Sequence, residues 1–265
     1  MTRLAGHTEG LRANGRKALV AYLTAGYPTR ALFPELVRAA ADVGADVIEI
    51  GVPFSDPIAD GPVIQNASVV ALSNGTTLQG ALDDAARLSR EVKAPLVVMS
   101  YINPILRLGV EKFAREAQRA GIAGVVIPDV SFEESAAFRA PIRDAGLAYI
   151  DLVAPTSDDA RVRAIAPASD GFVYVVSLTG VTGTREAIAA DLPALVARVR
   201  AHARAPVYVG FGVSTAAQAA EVAGLADGVI IGSRLMRLAG DGPAEGAAAR
   251  VGEFLSGVRR ELDRA

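Results

Sequence analysis

The stretch VIEIGVPFSDPIADGPVIQ, residues 47–65, decides how the chain is read. Val47, Ile48 and Ile50 make an apolar, β-branched run of the kind buried on both faces of a parallel sheet covered by helices. Glu49 stands inside that run, and a buried carboxylate is costly unless it has a partner or a task. A loop dense in Pro, Gly and Asp follows, carrying Asp56 and Asp60, before a helix begins near Pro62. Asp-Pro and Asp-Gly are also ordinary turn formers. The two aspartates therefore gain meaning only from where this loop lies in the whole chain.

On both sides of the stretch, strand and helix signals alternate. A short helix at 2–13 precedes a strand at Ala18 to Thr24; a helix at 30–43 leads to the strand at 46–51. After the acidic loop, helices at 62–72 and 77–91 lead to a strand at 96–101. Helices at 110–120, 132–145 and 158–166 lead to strands at 124–129, 148–154 and 171–177. Helices at 191–203 and 214–223 lead to strands at 206–212 and 227–233, and a helix at 243–263 closes the chain. Eight strands in strict alternation predict an α/β fold: a (β/α)8 TIM barrel with an extra N-terminal helix and an extra helix after strand 2. A doubly wound open sheet is the alternative. No Pro-rich or Gly/Ser linker interrupts the pattern, so residues 1–265 are expected to form one domain.

Composition narrows the chemistry. With 27 Lys+Arg against 29 Asp+Glu and no basic block, a nucleic-acid partner is not expected. The absence of cysteine excludes disulfides, thiolate nucleophiles and Cys-ligated metals. No signal-peptide core or membrane-length apolar run is visible, which leads to the expectation of a soluble cytoplasmic protein. The two histidines, His7 and His202, fall away from strand ends, so a Ser-His relay or a His-based metal site is hard to build. Lys17 and Lys93 precede strands and Lys112 begins a helix, which leaves no lysine at the C-terminal strand ends for a Schiff base.

In such barrels the site lies at those C-terminal strand ends. The ionisable groups there are Glu49, Asp56, Asp60, Asp129 and Tyr174, which leaves general acid–base catalysis. A glutamate on an apolar strand should have its acidity weakened by burial, while an aspartate on a wetter loop stays ionised. Strand seven ends in Gly210, Phe211 and Gly212 and is followed by Val213 and Ser214, and strand eight ends in Gly232 with Ser233. Backbone N–H groups there, aimed by helix N-termini, make an anion pocket suited to a phosphorylated substrate.

EIGVPFSDPIADGPVIQ (49–65), YINP (101–104), PDVSFEE (128–134), LVAPTS (152–157), GFVYVVS with GVTG (171–177 and 180–183), GFGVS (210–214) and ADGVIIGS (226–233) run through nearly the whole chain. On these segments it resembles the tryptophan synthase α subunits. The resemblance implies retro-aldol cleavage of indole-3-glycerol phosphate to indole and glyceraldehyde 3-phosphate. Glu49 matches the family's acid–base glutamate, Asp60 the aspartate that accepts the indole N–H, and Tyr174 a tyrosine that helps position the glutamate and the substrate. Gly183, Phe211, Gly212, Gly232 and Ser233 match the phosphate cradle, and Thr182 matches a threonine on the loop that closes over the site. Tyr22, Met99, Val126 and Leu152 fall at or beside the indole pocket, where plain barrel core is an equal reading.

The resemblance also implies a pyridoxal-phosphate β subunit as partner in an α2β2 heterotetramer, with no cofactor in this chain. Pro53, Phe54, Asp56, Pro57, Asn103 and Pro104 match the partner-facing surface. A stand-alone indole-releasing lyase and a phosphate-sensing regulatory module are the alternatives. Two departures stand out: Ser131-Phe132 where the family commonly carries proline, and Asp151 in mid-strand between Ile150 and Leu152, with no partner legible in the sequence.

Overall fold

In the computed structural model, β1 (Ala18–Thr24) and β2 (Val47–Gly51) pair in parallel with Tyr22 beside Glu49. The structure describes residues 1–176, 185–210 and 212–265. Among these, β3 (Leu96–Met99), β4 (Ile122–Val126), β5 (Ala148–Ile150), β6 (Leu152–Val153), β7 (Val173–Val176), β8 (Val207–Gly210) and β9 (Gly228–Ile231) complete a sheet of order β5-β4-β3-β2-β1-β9-β8-β7-β6. Every pairing in it is parallel. The result is a nearly closed barrel ringed by helices, as the alternation predicts.

The stretch 148–154, read as one strand, is split at Asp151. β5 pairs with β4 and β6 with β7, so the two ends of the sheet order are joined by a single residue and the chain itself closes the barrel. Asp151 is satisfied on every side. Its N–H donates to Ser169 Oγ at 2.9 Å and its carbonyl accepts from the Tyr174 N–H at 3.0 Å. Its carboxylate points into the helix layer and accepts two bonds from Arg139, at 2.5 and 3.0 Å. The Arg139 guanidinium lies over Tyr149 at 4.4 Å and over Phe132 at 5.3 Å, which gives one of the two departures from the family pattern a packing role.

The helices are α1 (Arg3–Ala13), α2 (Leu32–Asp42), α3 (Pro62–Ser73), α4 (Leu78–Glu91), α5 (Ile102–Leu108), α6 (Val110–Arg119), α7 (Ala136–Asp144), α8 (Asp159–Ile165), α9 (Arg185–Arg200), α10 (Ala216–Leu225), α11 (Ser233–Gly240) and α12 (Ala247–Leu262). The extra helix after strand 2 is present, as α3 followed by α4. Two short helices, α5 and α11, were not expected, because each opens directly from a strand end with no polar linker to announce it. α9 starts at Arg185 rather than 191, with Pro193 inside it.

Side chains alternate along each strand. Leu19, Leu23, Ile48 and Ile50 pack outward against the helices, whereas Val20, Val47, Val97, Ile150, Phe172 and Tyr208 fill the barrel. α1 closes the bottom: Leu4 enters the barrel where Gly124 and Gly171 leave room, since a Cβ on either would fall 2.8 or 2.7 Å from it. Thr8 Oγ1 locks the helix there by donating to the Gly171 carbonyl at 2.5 Å. Among the described residues no helix is long and apolar enough to cross a membrane.

Candidate active site

The opposite mouth of the barrel holds a cavity of about 500 Å³. Its wall draws on the strand ends and the acidic loop: Tyr22, Asp60, Met99, Leu152 and Tyr174 all line it, as do Gly212, Gly232 and Ser233. Glu49 lies beneath this wall with no exposed surface, and among the described residues no hydrogen-bond donor reaches either of its carboxylate oxygens. Val126 is also fully buried in the barrel core, and Ile127 takes the place on the cavity wall.

Electrostatics separate the two acids. Burial first, and then the nearby Asp60 charge, push the Glu49 carboxyl up to about 8. Burial also raises Asp60, but to only about 6, because a hydrogen bond from Tyr101 opposes it. At neutral pH Glu49 therefore holds its proton while Asp60 is ionised, the division of labour that acid–base chemistry requires. Tyr22 and Tyr174 have their phenol acidity weakened by burial, Tyr22 next by Asp60 and Tyr174 next by Glu49. Both therefore remain hydroxyl donors beside the acids.

The glycines at the strand ends make room for these rings. A Cβ on Gly51 would collide with the Tyr22 hydroxyl, and one on Gly210 would fall 2.8 Å from the Tyr174 ring. Gly232 caps α11, an eight-residue helix whose first residue is Ser233, so its free N–H groups open onto the cavity. Gly212 adopts φ 59°, a left-handed turn that glycine accepts without strain, ahead of α10 with its Thr215–Gln218 capping box. Thr182, Gly183 and Phe211, expected in the loop and cradle, lie outside the described residues.

The acidic loop runs outward from the site. Pro53 is buried, Phe54 and Pro57 are half-buried and Asp56 is exposed, accepting from Ser55 Oγ at 2.6 Å. Asn103 is exposed and Pro104 half-buried on α5. Ile58 and Leu106 add strongly exposed apolar side chains to the same two elements. Tyr101 is the residue that sequence reasoning missed: it lies within YINP but was not singled out, and its hydroxyl donates to Asp60 Oδ2 at 3.0 Å.

A family model described as tryptophan synthase alpha chain matches residues 9–259. A tryptophan synthase alpha chain of Geobacter sulfurreducens is 46% identical over 262 residues, spanning 99% of both chains. One of Burkholderia pseudomallei is 47% identical over 268 residues, spanning 99% of this chain and 97% of that one. Among solved structures, the tryptophan synthase subunit alpha of Legionella pneumophila superposes with a TM-score of 0.90 at 33% identity, covering 100% of both chains. A chain of tryptophan synthase from M. tuberculosis, in an aminoacrylate- and BRD0059-bound form, gives 0.88 at 37% identity over 98% of each.

Proposed function

The chain belongs to the tryptophan synthase alpha chain family and is a lyase acting on indole-3-glycerol phosphate; we propose that Glu49, Asp60 and Tyr174 carry out the cleavage. The protonated Glu49 carboxyl delivers its proton to indole C3, turning the ring into an electron sink. The hydroxyl proton on the adjoining side-chain carbon passes to the Glu49 carboxylate, the carbon–carbon bond breaks, and its electron pair returns to the ring. Asp60 accepts the indole N–H as that group becomes acidic. The products are indole and glyceraldehyde 3-phosphate. The observation that carries this reading is the split acidity of two neighbouring carboxyls, about 8 and about 6, one lining the cavity and one beneath its wall.

Tyr174 positions the glutamate and the substrate, and Tyr22, Met99 and Leu152 surround the indole ring, with Val126 in the barrel core next to this pocket. Gly183, Phe211, Gly212, Gly232 and Ser233 hold the phosphate mostly through backbone N–H groups, and the loop of Thr182 closes toward Asp60 and excludes water. The α11 N-terminus, opening onto the cavity behind Gly232, supports this cradle. The whole chain, 1–265, acts as one domain in the cytoplasm and uses no cofactor of its own.

A pyridoxal-phosphate β subunit receives the indole in an α2β2 assembly, docking on Pro53, Phe54, Asp56 and Pro57 and on Asn103 and Pro104. Exposed Ile58 and Leu106 on these elements support an interface there. Family membership favours neither a self-sufficient lyase nor a purely regulatory binding module. The test is indole release from indole-3-glycerol phosphate by the purified chain and by Glu49→Gln, with and without a β subunit. The wild type releases indole slowly and faster with the partner, while the variant loses release by at least about a hundredfold. Retained turnover in the variant overturns the role of Glu49.

A further inference from the structure

We propose that Tyr101 is a positioning residue that holds Asp60 in place as the ionised partner of Glu49. The inference rests on the reading of Glu49 and Asp60 as the acid–base pair.

Tyr101 follows β3 and caps α5, and it is almost fully buried. Its hydroxyl makes two bonds to one short piece of the acidic loop. It accepts from the Ala59 N–H at 3.0 Å and donates to Asp60 Oδ2 at 3.0 Å. Because the Ala59 N–H occupies a lone pair on the oxygen, the hydroxyl proton is aimed at the carboxylate rather than free to rotate. The ring is fixed from the same loop: Phe54 stacks on it with centroids 5.2 Å apart and planes 27° from parallel. Residues 54, 59 and 60 of a loop without regular structure are thus gathered on one rigid phenol. Tyr101 does not line the cavity, and its hydroxyl is taken up on both sides by the Ala59 N–H and by Asp60 Oδ2, so it acts through Asp60.

The groups facing Asp60 explain why such a clamp is needed. Glu49 on β2, Tyr22 on β1 and Tyr174 on β7 surround it inside the barrel, and none of them carries positive charge. Asp129 adds a further carboxylate close enough to act on Tyr101. Asp60 is therefore a partly buried anion among acids and phenols, and a hydrogen bond to the charged form is what favours ionisation. The Tyr101 phenol is itself pushed far up by burial and then by Asp60, so it remains a donor across the working range.

The pH dependence of kcat/KM for indole release tests this, measured on wild type, Tyr101→Phe, Phe54→Leu, Phe54→Tyr, Asp60→Asn and Glu49→Gln, with thermal melts of each. In Tyr101→Phe the acidic limb moves to higher pH by roughly one unit, and kcat falls more than KM rises. Phe54→Leu moves the limb part of the way and Phe54→Tyr restores it, while Asp60→Asn removes it. A limb that stays in place in Tyr101→Phe, or that survives in Asp60→Asn, overturns the proposal. Should Tyr101→Phe fail to fold, an unmoved limb in Phe54→Leu overturns it equally. Activity in Glu49→Gln is a separate failure, that of the acid–base reading beneath.

Discussion

Two carboxylates three residues apart, Asp46 just before β2 and Glu49 in its middle, meet opposite treatment. Asp46, at the bottom of the barrel, accepts from Arg16 Nε at 2.7 Å, Arg259 Nη1 at 3.0 Å and the Leu19 N–H at 2.9 Å. Glu49, towards the top, is buried still more completely and receives nothing from the described residues. One charge is held by two guanidiniums and a backbone donor; the other is left to keep its proton, and its acidity weakens accordingly. Asp151 repeats the first pattern with Arg139, where the chain closes the barrel. The difference separates scaffold from proposed site: this protein pairs the acids that hold it together and leaves unpaired the acid proposed to do the chemistry.

That contrast breaks first at Asp46. Replacing it by alanine leaves the buried Arg259 only the Lys17 carbonyl and the half-exposed Asp263 carboxylate, and frees the Leu19 N–H; the expected loss of stability is about 2–4 kcal/mol. Denaturant unfolding measures it, and a second change of Arg259 to Met recovers part of the loss. A cost near zero would mean that the bottom cluster is incidental to the fold.

Glu49→Gln should do the reverse. A carboxyl raised in the folded state binds a proton that the unfolded chain releases, so stability falls as pH climbs from the ordinary value near 4.5 towards about 8. Glutamine removes that dependence. The variant should match the wild type below the lower bound and exceed it, on the order of a few kcal/mol, above the upper one. Thermal melts across this range, compared between the two proteins, give the answer. A variant that is less stable at every pH would show that Glu49 has a hidden structural partner.

The same contrast explains what could be read in the sequence. Strand runs such as Ala18 to Thr24 and Val47 to Gly51 announce themselves because both faces are apolar, and the glycines at 210, 212 and 232 mark the strand ends that need space or unusual backbone. Glu49 is legible because it violates the pattern around it. The pairings that satisfy Asp46 and Asp151 are not legible: Arg259 lies 213 residues from Asp46, and only the closed barrel brings them together. The strand break at Asp151 is hidden for the same reason, since its backbone bonds go to Ser169 and Tyr174. Tyr101 was overlooked because its meaning depends on a loop that folds back across 41 residues to reach it.

The most direct measurement is the titration of the Glu49 carboxyl itself. Infrared difference spectra between the wild type and Glu49→Gln, followed across the pH range, isolate the carboxylic-acid band of that one side chain. A band present at pH 7 that disappears around pH 8 is the expected result. A carboxyl already ionised at pH 7, with a midpoint in the ordinary glutamate range, would contradict the claim that this acid is kept unpaired in order to hold a proton.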